Sequence, residues 1–173
     1  MSNDGASGVR VIVVMGVTGA GKTTVGHALA DALGWSFYDA DELHSPENKA
    51  KMHRGEGLTD ADRAPWLATL GALVARVIAN GEHAVLACSA LKQSYRDVLV
   101  PKDAPPDAVR FVFLDVPSKV LRERLAMRGN HFATANLLPS QFATLEVPSD
   151  ALRVDGTRPV PEIVQTVRQA FGI

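Results

Sequence analysis

The stretch Gly16-Val17-Thr18-Gly19-Ala20-Gly21-Lys22-Thr23 has the pattern G-x-x-x-x-G-K-[ST] and decides how the rest of the chain is interpreted. The apolar run 11–15 before it is typical of a buried strand, and Val25, Leu29 and Leu33 follow it at helical spacing. Strand, glycine-rich loop and helix are the order in which this pattern binds phosphate, because the loop N–H groups and the positive end of the helix meet at one anion. The stretch therefore predicts a phosphate-binding loop.

The polar side chains of this loop have separate expected tasks. Lys22 is expected to reach the terminal phosphates, and the Thr23 hydroxyl is expected to be a ligand of a phosphate-bound Mg²⁺. The glycines allow successive backbone N–H groups to turn towards phosphate oxygens. The residues predicted to bind the nucleotide here are Gly16, Thr18, Gly19, Ala20, Gly21, Lys22, Thr23 and Thr24.

The composition is that of one soluble domain with a small-molecule partner. A chain of 173 residues with 46% hydrophobic and 21% charged residues is long enough for one α/β domain and short for two. The net charge of −1 gives no reason to expect nucleic acid, and no apolar run approaches the roughly 18 residues of a membrane span. A lone cysteine, Cys88, and a polar start at 1–8 without signal-peptide features predict a cytoplasmic protein with a short disordered tail.

Five short apolar runs alternate with helical patterns. The predicted strands lie at 11–15, 35–38, 84–88, 111–114 and 151–154. Such alternation predicts right-handed crossovers and a five-stranded parallel sheet covered by helices on both faces, which is a three-layer α/β fold in one domain at 9–173. The clearest helix is expected to begin near Pro65, with Asp60 or Asp62 as its cap, and to stop at Gly81.

An arginine-bearing helix leads into a glycine- and asparagine-containing break at 129–136, with helix expected again from Leu137. Arg124 and Arg128 lie four residues apart and therefore share a helix face. They predict a lid at about 122–137 that closes over ATP and brings both guanidinium groups to the transferring phosphate. A solvated helix face is the alternative.

The loop by itself leaves GTPases, motor ATPases and small-molecule kinases open. The guanine-reading motif N-K-x-D of a GTPase is absent, and large ATPases need further domains. Asp39 and Asp41 follow the second predicted strand, where ligands bind in parallel sheets. Together with the lid arginines, this acidic pair favours a small-molecule kinase.

Several blocks beyond the loop resemble the gluconokinase family. They are Asp39-Ala40-Asp41-Glu42-Leu43-His44 with Asn48, Lys49, Asp62-Arg63 and Pro65-Trp66-Leu67; Cys88-Ser89-Ala90-Leu91-Lys92 with Tyr95-Arg96-Asp97; and His131-Phe132 with Ser140-Gln141-Phe142. The resemblance implies transfer of the γ-phosphoryl group of ATP to the 6-hydroxyl of D-gluconate. It also implies a fold similar to shikimate and adenylate kinases, with a mobile lid and often a homodimer.

Phosphoryl transfer needs aligned oxygens and neutralised charge, so carboxylates and cations are the candidate catalytic residues. Asp41 is expected to orient and deprotonate the acceptor hydroxyl, and Asp39 to hold the Mg²⁺ shell. The alternative for both is capping of the next helix. Asp115 ends an apolar run and competes for the metal, but the resemblance maps to Asp39, and a capping role before Pro117 suffices for Asp115.

Gluconate needs a cation for its carboxylate and hydrogen-bonding groups for its hydroxyls. Arg96 is predicted to hold the carboxylate. Arg158 follows the last strand, where related kinases pack the adenine, and is predicted to contact the nucleotide. Further predicted substrate contacts are His44, Arg54, Lys92, His131 and Gln141.

Two other functions remain open at this point. The same fold could phosphorylate another acceptor, such as shikimate, a nucleoside or a different sugar acid. The chain could also be a nucleotide-dependent binding module, because a fold does not fix a function.

Overall fold

The computed structural model describes residues 8–127 and 131–173, and for 131–136 it describes the backbone alone. Five parallel strands form one sheet in the order β2-β3-β1-β4-β5. The predicted parallel α/β fold is confirmed, and of the tail predicted at 1–8, residues 1–7 lie outside the described residues. The strands are β1 (Val11–Met15), β2 (Ser36–Asp39), β3 (Ala84–Ala87), β4 (Val109–Asp115) and β5 (Leu152–Asp155).

Helices cover both faces of the sheet and give three layers. They are α1 (Lys22–Leu33), α2 (Pro46–His53), α3 (Asp60–Ala79), α4 (Gln93–Leu99), α5 (Ser118–Ala126), α6 (His131–Thr144) and α7 (Val160–Phe171). Alternate residues of β1 point to opposite faces. Ile12 and Val14 pack against α1, α5 and α7, whereas Val11, Val13 and Met15 pack against α3 and α4.

The register of the sheet positions the functional site. Asp39 at the end of β2 is paired with Ala87 of β3, and Ala87 is paired with Val14 of β1. The loop 16–21 that follows β1 therefore starts beside Asp39, at the carboxyl end of the sheet. Ligands of open parallel sheets bind at this end.

The start of α3 differs from its prediction near Pro65. Thr59 caps the helix: its hydroxyl accepts a hydrogen bond from the Asp62 N–H at 3.0 Å, and the Asp62 carboxylate accepts one from the Thr59 N–H at 2.9 Å. This reciprocal capping box starts the helix at Asp60 and leaves Pro65 inside it. Neither Asp60 nor Asp62 is the capping residue itself.

The start of α6 also differs from its prediction. The helix begins at His131, six residues before the expected Leu137, so most of the predicted break at 129–136 is helical. Two alanines, Ala133 and Ala135, favour helix strongly and outweigh the weaker contrary preferences of their polar neighbours.

Candidate active site

The backbone of the phosphate loop has a shape that requires glycine. Gly19 and Gly21 have φ of 82° and 99°, a left-handed conformation that other residues rarely adopt. Gly21 is the N-cap of α1, so the unpaired N–H groups of the first turn of that helix point towards the loop. The positive end of the helix dipole lies at the same place. Loop and helix end thus form a site for an anion.

A polar cavity of about 120 Å³, called here the phosphate cavity, lies within this loop. The structure brings six of the eight loop residues predicted to bind the nucleotide to its wall. Of the other two, Gly16 is buried and Ala20 lines a neighbouring cavity. The residues around the phosphate cavity are Thr18, Gly19, Gly21, Lys22, Thr23, Thr24, Asp39, Asp41 and Ala87.

Thr23 and Asp39 bring two kinds of oxygen ligand together at this cavity. The Thr23 hydroxyl donates a hydrogen bond to Asp39 Oδ2 at 3.1 Å, and Asp39 Oδ1 accepts one from the Asp41 N–H at 3.0 Å. Mg²⁺ prefers hard oxygen donors, and beside phosphates it is usually held by one or two protein groups plus water. One hydroxyl and one carboxylate at a phosphate loop fit that requirement.

Asp115, the alternative carboxylate for the metal, is engaged elsewhere. Its Oδ2 accepts hydrogen bonds from Arg153 Nε at 2.9 Å and from Arg153 NH2 at 2.8 Å. It lines a different, largely apolar cavity beside Phe113. The expected capping role is not observed, since the N-cap of α5 is Pro117 and has no side-chain hydrogen bond. The geometry favours Asp39.

A second cavity of about 270 Å³, called here the acceptor cavity, adjoins the phosphate cavity. Thr18, Lys22 and Asp41 line both, so a molecule in the acceptor cavity would lie against the outermost phosphate. The other lining residues combine cations, hydrogen-bonding groups and apolar surface; they are His44, Met52, Glu56, Gly57, Leu58, Arg63, Trp66, Ser89, Leu137, Ser140 and Gln141. Such a lining suits a small polar anion.

Asp41 lies where the two cavities meet. Solvent reaches its carboxylate through the open cleft, while protein atoms crowd its other sides. This desolvation raises the pKa of the Asp41 carboxyl; Lys22 opposes the shift, and Asp39 and Glu42 add to it. A carboxylate with a raised pKa is a better proton acceptor for a hydroxyl group.

His44 is buried and forms part of the wall of the acceptor cavity. Its imidazole stacks on the Trp66 indole, with ring centroids 4.0 Å apart and planes 15° apart. Burial, with Arg63 and Lys49 nearby, lowers the pKa of His44 to about 4. The ring is therefore neutral near pH 7.

Arg63 places a cation in the acceptor cavity, although the sequence offered it only as part of a family block. Its NH1 donates to the Leu58 carbonyl at 2.7 Å and to the Tyr95 hydroxyl at 3.2 Å. The Tyr95 hydroxyl in turn donates to Asp60 at 2.5 Å. Recognising Thr59 as the cap of α3 would have placed Arg63 on its first turn, at the edge of the site.

The helix α6 forms another wall of the acceptor cavity. Gln141 Oε1 accepts a hydrogen bond from the Thr18 N–H at 2.6 Å, which joins α6 to the phosphate loop. Leu137 and Ser140 line the cavity from the same helix. The predicted substrate residue Gln141 therefore lies at the junction of the two cavities.

A third cavity, of about 430 Å³, adjoins the phosphate cavity through Gly19, Gly21 and Thr24. Arg124 and Arg158 line it together with apolar side chains, which suits an aromatic base with a polar edge. Arg124 donates to the carbonyls of Gly19, Ala20 and Gly156, at 3.2, 3.3 and 2.7 Å. Arg158 is exposed, with Asp155 at 3.7 Å and Glu162 at 3.9 Å.

Comparisons with known proteins agree with this arrangement. The sequence profile of the shikimate kinase family matches residues 18–146. The chain is 50% identical to the gluconokinase of Gluconobacter oxydans, over 90% of this chain and 86% of the relative. It is 44% identical to the probable gluconokinase of Mus musculus, over 93% and 97%. The crystal structure of a gluconokinase from Sinorhizobium meliloti has a TM-score of 0.81 at 44% identity, covering 94% of this chain and 91% of that one.

The chain belongs to the gluconokinase family. The resemblance and the kinase class predicted from the sequence are confirmed. None of the helices in the part of the chain that the structure describes is both long enough and apolar enough to cross a bilayer.

Three residues predicted to bind the substrate of this gluconokinase-family member lie outside the acceptor cavity. Arg96 is 3% exposed and donates to the carbonyls of Ala90 at 2.7 Å and Glu146 at 2.9 Å, so its guanidinium group ties the loop after β3 to the chain after α6. Lys92 pairs with Asp60, and Arg54 pairs with Glu56. Their positive charges are engaged by neighbouring groups and not directed into the cavity.

Two further predicted residues lie outside the described part of the molecule. Arg128 belongs to 128–130, and the side chain of His131 belongs to the stretch described by its backbone alone. The predicted lid at about 122–137 is therefore described at 122–127, by its backbone at 131–136, and at Leu137.

Proposed function

We propose that this member of the gluconokinase family transfers the γ-phosphoryl group of ATP to the 6-hydroxyl of D-gluconate, giving 6-phospho-D-gluconate and ADP. The observation that carries this proposal is the shared wall of the phosphate and acceptor cavities. Lys22 and Asp41 line both, so one side chain of each charge stands where the donor phosphate and the acceptor hydroxyl would meet. Positioning and electrostatics are what phosphoryl transfer chiefly requires from a protein.

The donor half of the site would be formed by the loop 16–24 and the third cavity. The N–H groups of the loop and of the first turn of α1 would bind the phosphates, and the adenine would lie in the cavity lined by Arg124 and Arg158. Thr23 and Asp39 are the residues that would hold Mg²⁺. The ion, when bound, neutralises phosphate charge.

Asp41 would accept the proton of the acceptor hydroxyl as that oxygen attacks phosphorus. Its raised pKa supports this role. Lys22 would balance the charge that develops on the equatorial oxygens. Arg124 and Arg128 are proposed to add to that balance once a lid at about 122–137 closes.

The acceptor half needs a different cation from the one predicted. We assign the gluconate carboxylate to Arg63, because it lines the cavity, whereas the guanidinium group of Arg96 binds backbone carbonyls. His44 and Gln141, with Ser89 and Ser140 beside them, would bind the hydroxyl groups. Met52, Leu58 and Trp66 would exclude water from the chain of the substrate. The protein is further proposed to act in the cytoplasm and as a homodimer.

An acceptor panel tests this function. ADP release is measured with ATP and Mg²⁺ in the presence of D-gluconate, other hexonates, shikimate, a nucleoside or a neutral sugar. The expected result is fast release with D-gluconate alone, and loss of that release in Lys22→Ala and Asp41→Asn. Preference for a neutral sugar or for shikimate would refute the proposal, as would ADP release that no acceptor stimulates.

A further inference from the structure

Resting on the proposed function, we infer that Asn48 is a positioning residue that fixes the tautomer of His44 with its hydrogen on Nε2, and that this N–H binds a hydroxyl group of the acceptor. Asn48 lies in α2, one turn after His44 in the chain. It bridges His44 to the start of α3. The Nε2–H of His44 is then a neutral donor in the acceptor cavity, distinct from the two cations Lys22 and Arg63 in its wall.

The orientation of the Asn48 amide is determined by its surroundings. The side chain is 7% exposed, and its Nδ2 lies 2.8 Å from the Asp62 carbonyl oxygen. A backbone carbonyl can only accept a hydrogen bond, so the amide atom facing it must be the nitrogen. The usual ambiguity between the oxygen and nitrogen of an asparagine is therefore removed here.

The second hydrogen of the same nitrogen is available to His44. Asn48 Nδ2 lies 3.3 Å from His44 Nδ1, and a donor at that distance requires the ring nitrogen to be an unprotonated acceptor. A neutral imidazole with a free lone pair on Nδ1 carries its hydrogen on Nε2. The Asp62 carbonyl thus fixes the amide, and the amide fixes the ring.

The ring is held in position and its Nε2 is left for a ligand. Stacking on Trp66 at 4.0 Å fixes the plane of the imidazole. The Trp66 indole is itself anchored, because its Nε1 donates to the Ala40 carbonyl at 2.7 Å. Within the described residues, His44 Nε2 has no hydrogen-bond partner, and His44 lines the acceptor cavity.

The charges that face His44 keep its ring neutral. Burial lowers the pKa of His44 most, followed by Arg63 of α3 and Lys49 of α2, to about 4. The Asp62 carboxylate of α3 accepts hydrogen bonds from Lys51 and Thr59. A neutral N–H suits a hydroxyl oxygen, whereas a carboxylate is bound better by a cation. Arg63 would therefore bind the carboxylate of an aldonic acid, and His44 would bind one of its hydroxyl groups.

The tautomer is tested without any acceptor. Long-range ¹H–¹⁵N correlation spectra of the histidines are recorded at pH 7 for the wild type and for Asn48→Leu. The wild type is expected to show His44 with its hydrogen on Nε2, and Asn48→Leu is expected to show a mixture of tautomers. Finding the hydrogen on Nδ1 in the wild type, or an unchanged spectrum in Asn48→Leu, would overturn the inference even if D-gluconate proves to be the substrate.

The hydroxyl contact is tested by kinetics. Loss of one net hydrogen bond predicts a KM for D-gluconate about 3- to 10-fold higher in Asn48→Leu, with the KM for ATP unchanged. In a His44→Phe background, Asn48→Leu is expected to add nothing, because Asn48 acts through the ring.

Asn80→Leu, at the exposed end of α3, is the matched control. Should Asn48→Leu not fold, Asn48→Asp takes its place, and its expected signature is a raised His44 pKa.

Monodeoxy analogues of D-gluconate identify the contact. One analogue is expected to bind wild type and Asn48→Leu equally, because it lacks the hydroxyl that His44 binds. An equal loss for every analogue would contradict the inference. No gluconate-dependent activity in the wild type would refute the proposed function instead, and the spectra of His44 would still decide its tautomer.

Discussion

The Thr23 hydroxyl lies 3.1 Å from the Asp39 carboxylate, which joins the first turn of α1 to the end of β2. The two residues belong to neighbouring parts of the sheet edge, because β1 and β2 both pair with β3. The rival carboxylate, Asp115, is held by Arg153 and lines another cavity. Because of this difference, we expect Mg²⁺ to bind at Thr23 and Asp39 and not at Asp115.

We expect Asp39→Asn to weaken Mg²⁺ binding in the presence of ATP. Groups that hold or orient a metal typically contribute 10- to 100-fold in affinity or activity, so the Mg²⁺ concentration for half-maximal rate should rise by about that factor. Asp115→Asn is the matched control, and it removes an exposed ion pair worth at most about 1 kcal/mol. A titration in which Asp115→Asn has the larger effect would assign the metal to β4.

Exchanging Arg63 and Arg96 for methionine should separate binding from stability. Arg63→Met is expected to raise the KM for D-gluconate by about 10- to 100-fold, the size of a lost hydrogen bond to a charged group, with little change in the KM for ATP. Arg96→Met leaves the buried carbonyl of Ala90 and the partly buried carbonyl of Glu146 without this donor. It should lower the free energy of unfolding by about 2 kcal/mol or more.

Denaturant unfolding and steady-state kinetics on both variants decide which arginine binds the substrate and which stabilises the fold. A folded Arg96→Met protein with a normal free energy of unfolding and a strongly raised KM for D-gluconate would contradict this assignment. It would show that Arg96 binds the gluconate carboxylate. The same data would show whether Arg63 contributes to acceptor binding at all.

Asp41 should show a trade-off between activity and stability. Asp41→Asn is expected to lower kcat by about 10²- to 10⁴-fold, the usual contribution of a positioned base. The pKa of Asp41 is raised in the folded state, so protonation of its carboxyl group stabilises the fold. This stabilisation is present below the pKa of the unfolded chain and is lost as the pH rises through the folded-state pKa. Asp41→Asn should therefore melt at a higher temperature than wild type at pH 7.

The pH dependence of kcat/KM gives the second test of Asp41. For the wild type, kcat/KM should fall as the pH is lowered through the raised pKa of Asp41, because a protonated carboxyl cannot accept the hydroxyl proton. An acid limb that persists unchanged in the residual activity of Asp41→Asn would contradict the assignment.

The capping box of α3 should stabilise the fold and hold Arg63 in place. Thr59→Ala is expected to cost about 1 kcal/mol of unfolding free energy, whereas Thr69→Ala, at an exposed site of the same helix, is the control. The pKa of Asp62 is lowered to about 2, first by the Thr59 N–H and then by Lys51. The stabilisation by Asp62 is thus present above its ordinary pKa and is lost as pH falls towards 2. Equal melting curves for Thr59→Ala and Thr69→Ala would refute the stabilising role of the capping box.

The sequence predicted the fold and the place of the phosphate loop between β1 and α1 because their determinants are local. The glycines of 16–21, the strand before them and the helix after them lie within one βα unit, and parallel strand ends meet at one edge in any such sheet. Asp39 is the last residue of β2 and Asp41 follows two residues later, so their position could be derived from chain order.

The acceptor half depends on contacts that chain order does not reveal. Arg63 and Arg96 are both helical arginines within family blocks, and only the packing shows that Arg63 lines the acceptor cavity while Arg96 is buried outside it. The bridge from Asn48 to His44 and Asp62 likewise joins α2 to α3 through side chains. Residue types in a sequence indicate which groups are available, but packing decides which way each one faces.

Transfer of the phosphoryl group from ATP to the 6-hydroxyl of D-gluconate is tested by identifying the product. The chain is incubated with ATP, Mg²⁺ and D-gluconate, and a ³¹P–¹H correlation spectrum of the mixture is recorded, with Lys22→Ala as the control. We expect a new phosphomonoester coupled to the two C6 protons, formed in step with ADP and absent in Lys22→Ala. A phosphoryl group on another carbon, or no phosphorylated gluconate, would contradict it.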